Sequence, residues 1–186
     1  EYDDDIEKLS SGGLPDGDIA AQMLAMDARL AADALMDVYE RTAGKDGFVC
    51  LEIDARLLVD PASIVSGGRA LATLVDRPNF MVKVPATFEG IASIEGLVFE
   101  GFNVNVTHLF SIERYMEAAL AYVKGLERRV EAGRPIDNVA SVASFEVGRF
   151  DTHIDKRIEE RAAEGASNDE KARLKALLGR CAVANA

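Results

Sequence analysis

Apolar positions first recur at helical spacing, from Asp16 to Met26 and again from Asp27 to Thr42, where Leu30, Ala34, Met36 and Val38 interleave with acidic residues. This pattern predicts two helices, the second closed by Ala43-Gly44-Lys45-Asp46-Gly47. The rhythm then alternates. Phe48 to Ile53, Phe80 to Val84, Asn103 to Leu109 and Val139 to Val147 read as strands, whereas Ser63 to Val75, Glu89 to Glu100, Ser111 to Ala132 and the remainder read as helices. Strand centres near Leu51, Val82, Val106 and Val142 leave room for one helix each, the spacing of βα units in a parallel sheet.

Four such units after two helices make an α/β protein, with two architectures open: a doubly wound sheet, or part of a (β/α)8 barrel of the TIM type. The first strand is not followed by a GxGxxG turn, which disfavours the dinucleotide-binding form of the open sheet. A chain of 186 residues, 48% hydrophobic, supports one core. The expected organisation is a single domain over 1–186, with helices in 1–47 and βα units in 48–186.

Charge narrows the partners. A formal net charge of −11 argues against a nucleic-acid partner, which requires basic patches to neutralise phosphates. Cys50 and Cys181 lack metal-ligand or disulfide spacing and read as small buried apolar residues of a reducing compartment. No apolar run approaches membrane-spanning length, and the opening Glu1-Tyr2-Asp3-Asp4-Asp5 is unlike a signal peptide, so no membrane partner and a cytoplasmic location are expected.

Lys83 stands inside the run Met81-Val82-Lys83-Val84-Pro85, where a strand is expected to be buried on both sides. Desolvation would favour a free amine able to add to a carbonyl. The alternative is a lysine paired with a carboxylate or snorkelling at the strand end. Glu52, on the preceding strand, is either its ion-pair partner or a proton donor and acceptor. Asn103, Asn105 and Thr107 alternate with Val104 and Val106 and share one face, a polar lining suited to a hydroxylated ligand or a satisfied barrel interior. Ser144 and Arg149 end the fourth strand, and barrel enzymes often hold phosphate at that end.

The run from Met81 to Ile91, MVKVPATFEGI, resembles the Schiff-base lysine segment of transaldolases. Glu100 to Thr107 with Leu109-Phe110-Ser111, then Asn138 to Phe145 with Val147, Arg149, Asp151-Thr152 and Asp155, follow at that family's spacing. The likeness extends to Val75-Asp76-Arg77-Pro78-Asn79 and to Cys181 through Ala186, and is closest to the longer bacterial type.

The resemblance implies a metal-free and cofactor-free transfer of a dihydroxyacetone unit between sugar phosphates in the pentose phosphate pathway. It implies Lys83 as the imine-forming nucleophile, Glu52 as the carboxylate working with a water, and Thr107 as that water's second anchor. Asn105 would bind sugar hydroxyls, Ser144 would line the pocket and Arg149 would hold the phosphate. The alternative is a non-catalytic relative acting as a sugar-binding or association module.

Four features carry expectations. A barrel of about 250 residues has eight strands, so this chain is expected to be a fragment covering the middle strands, or to take the rest from another chain. Its two unpaired sheet edges would favour self-association. Glu146 replaces an aromatic residue and is expected to repel a sugar phosphate or pair with Arg149. His108 replaces an aliphatic residue and, by strand alternation, is expected to face away from the pocket. Gly67-Gly68 within a helix reads as a local loss of stability, at about 1 kcal/mol per glycine.

Overall fold

Three short polar sequences set where the helices of the βα units begin. Asp60 accepts from the amide of Ser63 at 2.9 Å with Pro61 in the first turn, Thr87 accepts from Gly90 at 3.0 Å, and Ser111 accepts from Arg114 at 3.2 Å. Each satisfies an amide that a helix start leaves unpaired. The computed structural model describes residues 2–146, 148–164 and 167–185. Glu1, Val147 and Ala186, which the sequence reading used, lie outside the described residues.

The elements run α1 (Asp3–Ser11), α2 (Asp16–Ala34), α3 (Met36–Arg41), β1 (Val49–Glu52), α4 (Pro61–Val75), β2 (Phe80–Pro85), α5 (Phe88–Glu100), β3 (Asn103–Thr107), α6 (Ile112–Glu131), β4 (Ser141–Ala143), α7 (Gly148–Ala163), α8 (Asn168–Lys175) and α9 (Cys181–Asn185), with a 3-10 turn at Ala55–Leu57. The N-terminal region thus holds three helices where the pattern predicts two. Asp27 does not start a helix: the helical ladder runs through it, and the break comes at Leu35. β4 is shorter than expected, and Arg149 belongs to the first turn of α7.

All strand pairs are parallel and the order is β1-β2-β3-β4. A doubly wound sheet reverses its strand order at a switch point. The consecutive order here is that of a singly wound barrel wall, and the fold is a partial (β/α) barrel of the TIM type. Among the described residues, β1 and β4 each have a strand neighbour on one side only.

The core lies between the sheet and α4 and α5, where Ile53, Val82, Val84, Val104 and Val106 meet Ile64, Ile94, Leu97 and Val98. Gly67 and Gly68 belong to this contact. A Cβ on Gly68 would come within 2.7 Å of Leu97 Cδ2 and 3.2 Å of Val82 Cγ1, and one on Gly67 within 2.7 Å of Leu57 Cδ1. Their cost in helix propensity is offset by close approach of helix to sheet, so they mark tight packing rather than weakness. α2 is tied on by Arg29, which donates to the carbonyl of Leu74 at 2.5 Å, and by Asp33, which accepts from Arg77 Nε at 2.5 Å.

Candidate functional site

With Val82 and Val84 turned to the helices, strand alternation turns Met81 and Lys83 to the opposite face. In a parallel sheet, paired residues share a face, and the register pairs Glu52 with Lys83, Lys83 with Asn105 and Asn105 with Val142. Three strands therefore bring a carboxylate, an amine and an amide to one level near their C-terminal ends, the end at which barrel enzymes carry their sites. One level further on, Pro85 pairs with Thr107.

The geometry beyond Lys83 is fixed by close contact. A Cβ on Gly90 would lie 1.9 Å from the carbonyl oxygen of Pro85, so α5 begins directly over the exit of β2. The amide of Ala86 bonds to the carbonyl of Thr107 at 2.8 Å, holding that exit to β3.

Lys83 is half-buried while the other five residues of β2 are buried. This corrects the expectation of a lysine enclosed on both sides: it reaches out on the face that α4 and α5 do not cover. Nor is its side chain paired with Glu52, since no ion pair or hydrogen bond of the Lys83 amine occurs among the described residues. Of the two roles open to Glu52 in the sequence, the ion-pair partner is not the one adopted.

Asn105 is 6% exposed and clamped at both ends of its amide. Oδ1 accepts from the Ser144 hydroxyl at 2.7 Å and Nδ2 donates to Cys50 Sγ at 3.2 Å. Cys50 is thus half-buried and hydrogen-bonded, not merely an apolar filler. Asn103, lower on the same face, is spent on structure: Nδ2 donates to the carbonyls of Pro78 and Phe80, and Oδ1 accepts from Ala140 N. Thr107 is 4% exposed and its Oγ1 meets no hydrogen-bond partner among the described residues. A buried hydroxyl left so is costly unless something else satisfies it.

Arg149 stands apart from this row. Its side chain is 87% exposed, and its guanidinium lies 3.8 Å from Glu146 Oε2. The pairing anticipated for Glu146 is therefore present.

His108 is the residue that alternation misplaces. Its φ of 56° is left-handed, which ends the alternation and swings the ring back toward β1. Nε2 lies 3.5 Å from Glu52 Oε1. The expectation that His108 faces away is corrected, and nothing in the strand pattern signals the reversal. A cavity of about 440 Å³ lined by Tyr39, Arg77, Phe80, Asn103 and Asn138 lies at the opposite, N-terminal end of the strands and includes no member of the row.

Chemically, the row offers an amine without a counter-ion among the described residues beside a carboxylate, a fixed amide and a hydroxyl unsatisfied among those residues. Such a set can add nitrogen to a carbonyl, move the protons this requires and hold hydroxyl groups of the adduct. Among the described residues, no helix is long and apolar enough to cross a membrane.

The chain is similar to proteins of known family. The family model described as Transaldolase/Fructose-6-phosphate aldolase matches residues 1–181. The chain is 45% identical over 185 residues to a transaldolase of Thermobifida fusca (strain YX), covering 100% of this chain and 48% of that protein. It is 40% identical over 185 residues to a transaldolase of Trichodesmium erythraeum (strain IMS101), covering 49% of it. A transaldolase of Acidothermus cellulolyticus (strain ATCC 43068 / DSM 8971 / 11B) is 41% identical over 171 residues, which is 92% of this chain and 46% of that one. The chain spans about half the length of the curated relatives it matches.

Proposed function

Since the chain belongs to the transaldolase/fructose-6-phosphate aldolase family, we propose that Lys83 forms a Schiff base with a keto-sugar phosphate and that the protein transfers a dihydroxyacetone unit to an aldose phosphate. The observation that carries this reading is the common level of Glu52, Lys83 and Asn105 on one face of the sheet.

In the proposed reaction the Lys83 amine adds to the ketone and water is lost, giving a protonated imine. The bond between the carbons α and β to the imine then breaks: its electron pair moves into the C=N+ group to give an enamine, the β-hydroxyl passes its proton to water, which returns one to the incoming aldehyde oxygen later, and the aldehyde fragment departs. The retained unit then bonds to an incoming aldehyde, and water releases the product from Lys83. Glu52 exchanges protons with the water, Thr107 supplies its second anchor through the otherwise unsatisfied hydroxyl, and Asn105 binds the hydroxyls of the dihydroxyacetone unit. Ser144 holds Asn105 and lines the pocket, and Arg149 takes the phosphate. No metal or organic cofactor enters these steps, and the setting would be the pentose phosphate pathway of the cytoplasm.

The test is reduction with borohydride in the presence of fructose 6-phosphate. An irreversible adduct that maps to Lys83 and is absent from Lys83→Met supports the reading; an unmodified Lys83 overturns it. A second reading is favoured by one observation, the pairing of Arg149 with Glu146, which weakens the phosphate grip. In it the chain is a non-catalytic relative that binds sugars or associates through the edges of β1 and β4. Failure to trap an adduct together with retained sugar binding would select it.

A further inference from the structure

We infer that His108 is a positioning residue for Glu52, an inference that rests on the reading of Lys83 as an imine-forming nucleophile. Glu52 ends a four-residue strand and its side chain is 48% exposed. A carboxylate so placed samples several rotamers, and fixing one costs entropy that the chemistry would otherwise meet at every turnover.

Two features hold the imidazole where it limits this freedom. The left-handed backbone at His108 directs the ring over the end of β1, and histidine is among the residues that adopt this conformation more readily than most. The ring also rests near Phe110, with centroids 6.2 Å apart and planes tilted by 37°. Phe110 in turn meets Phe150 of α7 edge-on at 5.6 Å. An aromatic chain thus runs from the exit of β3 to α7, with the imidazole at its end and Nε2 3.5 Å from Glu52 Oε1. That distance is longer than an ordinary N–H···O hydrogen bond and makes this a polar contact between ring and carboxylate. The contact takes up one carboxylate oxygen, Oε1, and leaves the other for the site.

The step this serves is the making and breaking of the imine. The Lys83 nitrogen bonds to the ketone carbon, and an amine proton passes to the carbonyl oxygen. The resulting hydroxyl leaves as water with a proton from Glu52, leaving a protonated imine and a carboxylate. Hydrolysis reverses the sequence and returns the proton to Glu52. His108 touches neither sugar nor amine in this scheme; it sets where the carboxylate stands.

The experiment compares rates of borohydride trapping with fructose 6-phosphate in the natural chain, His108→Asn, His108→Gln and Glu52→Gln. Asparagine keeps the left-handed backbone but is too short to reach Glu52, whereas glutamine retains a donor with reach. The expected result is a trapping rate lowered about twofold to fivefold in His108→Asn, with the half-saturating sugar concentration unchanged. His108→Gln should keep most of the natural rate. In the Glu52→Gln background His108→Asn should add no further loss. Trapping by His108→Asn at the natural rate overturns the inference alone, as does an equal loss in the Glu52→Gln background. No trapping by the natural chain overturns the reading of Lys83 and this inference with it. Thermal unfolding of each variant separates a lost fold from a lost role.

Discussion

Ser144 donates its hydroxyl hydrogen to Asn105 Oδ1 at 2.7 Å, tying the exit of β4 to the middle of β3. Because the other end of that amide donates to Cys50 Sγ on β1, one buried side chain links three strands across the face that carries Lys83. Removing the donor leaves Asn105 Oδ1 buried with one partner fewer. Ser144→Ala is expected to cost about 1–2 kcal/mol, read as a lower urea midpoint at unchanged slope.

Thr107 gives the opposite expectation for stability. Its hydroxyl has no protein partner among the described residues, so Thr107→Val keeps the shape and breaks no protein hydrogen bond. Stability should hold within about 0.5 kcal/mol, while imine turnover, followed by loss of trapped adduct on delayed borohydride addition, slows.

Gly90→Ala places a methyl group 1.9 Å from a backbone oxygen that cannot rotate away. α5 must move off the exit of β2. A loss of about 2 kcal/mol or more is expected, larger than the gain in helix propensity, and urea denaturation measures it.

Acid should loosen the attachment of α2. The Arg77 guanidinium hydrogen-bonded to Asp33 lowers the carboxyl below its ordinary value of 3.8. A carboxyl depressed in the folded state contributes stability above its unfolded value, and this is lost as pH falls through the folded one. Stability should therefore decline below about pH 4, and Asp33→Asn should make that decline shallower. Thermal midpoints at pH 6 and pH 3 provide the comparison.

Glu146→Gln frees Arg149 from a carboxylate 3.8 Å away. Inorganic phosphate should then compete with the sugar substrate about twofold to fivefold more strongly, and less so as salt rises. Equal inhibition of the two proteins would show that the pairing does not control anion binding.

Much of this fold was legible in the chain itself, because apolar runs of strand length alternate with segments of helical spacing, although the capping residues Asp60, Thr87 and Ser111 that start those helices emerged only from the structure. The shared face of Asn105 and Thr107 followed from alternation. What was hidden depended on neighbours distant in sequence. That Glu52 and Lys83 stand at one level is a matter of register, and that they form no ion pair is a matter of rotamers. Gly67-Gly68 read as a weakness until Val82 and Leu97 were found against them. Asp27 looked like a helix start since an acidic residue on an exposed helix face and a capping one are the same residue type. His108 was misplaced by the rule that placed Asn105, because one left-handed residue cancels alternation and leaves no periodic trace.

The register between β1, β2 and β3 makes this protein unequally tolerant of insertions and deletions. A residue gained or lost in the loop between α6 and β4 changes a connection and leaves each strand free to keep its neighbours. A slip of one residue within β2 instead turns Lys83 into the layer held by Leu97 and offers Val82 or Val84 to the carboxylate, exchanging every side chain at once. Variation in chain length should therefore accumulate in the connections, while the strand residues at the level of Lys83 keep a fixed count.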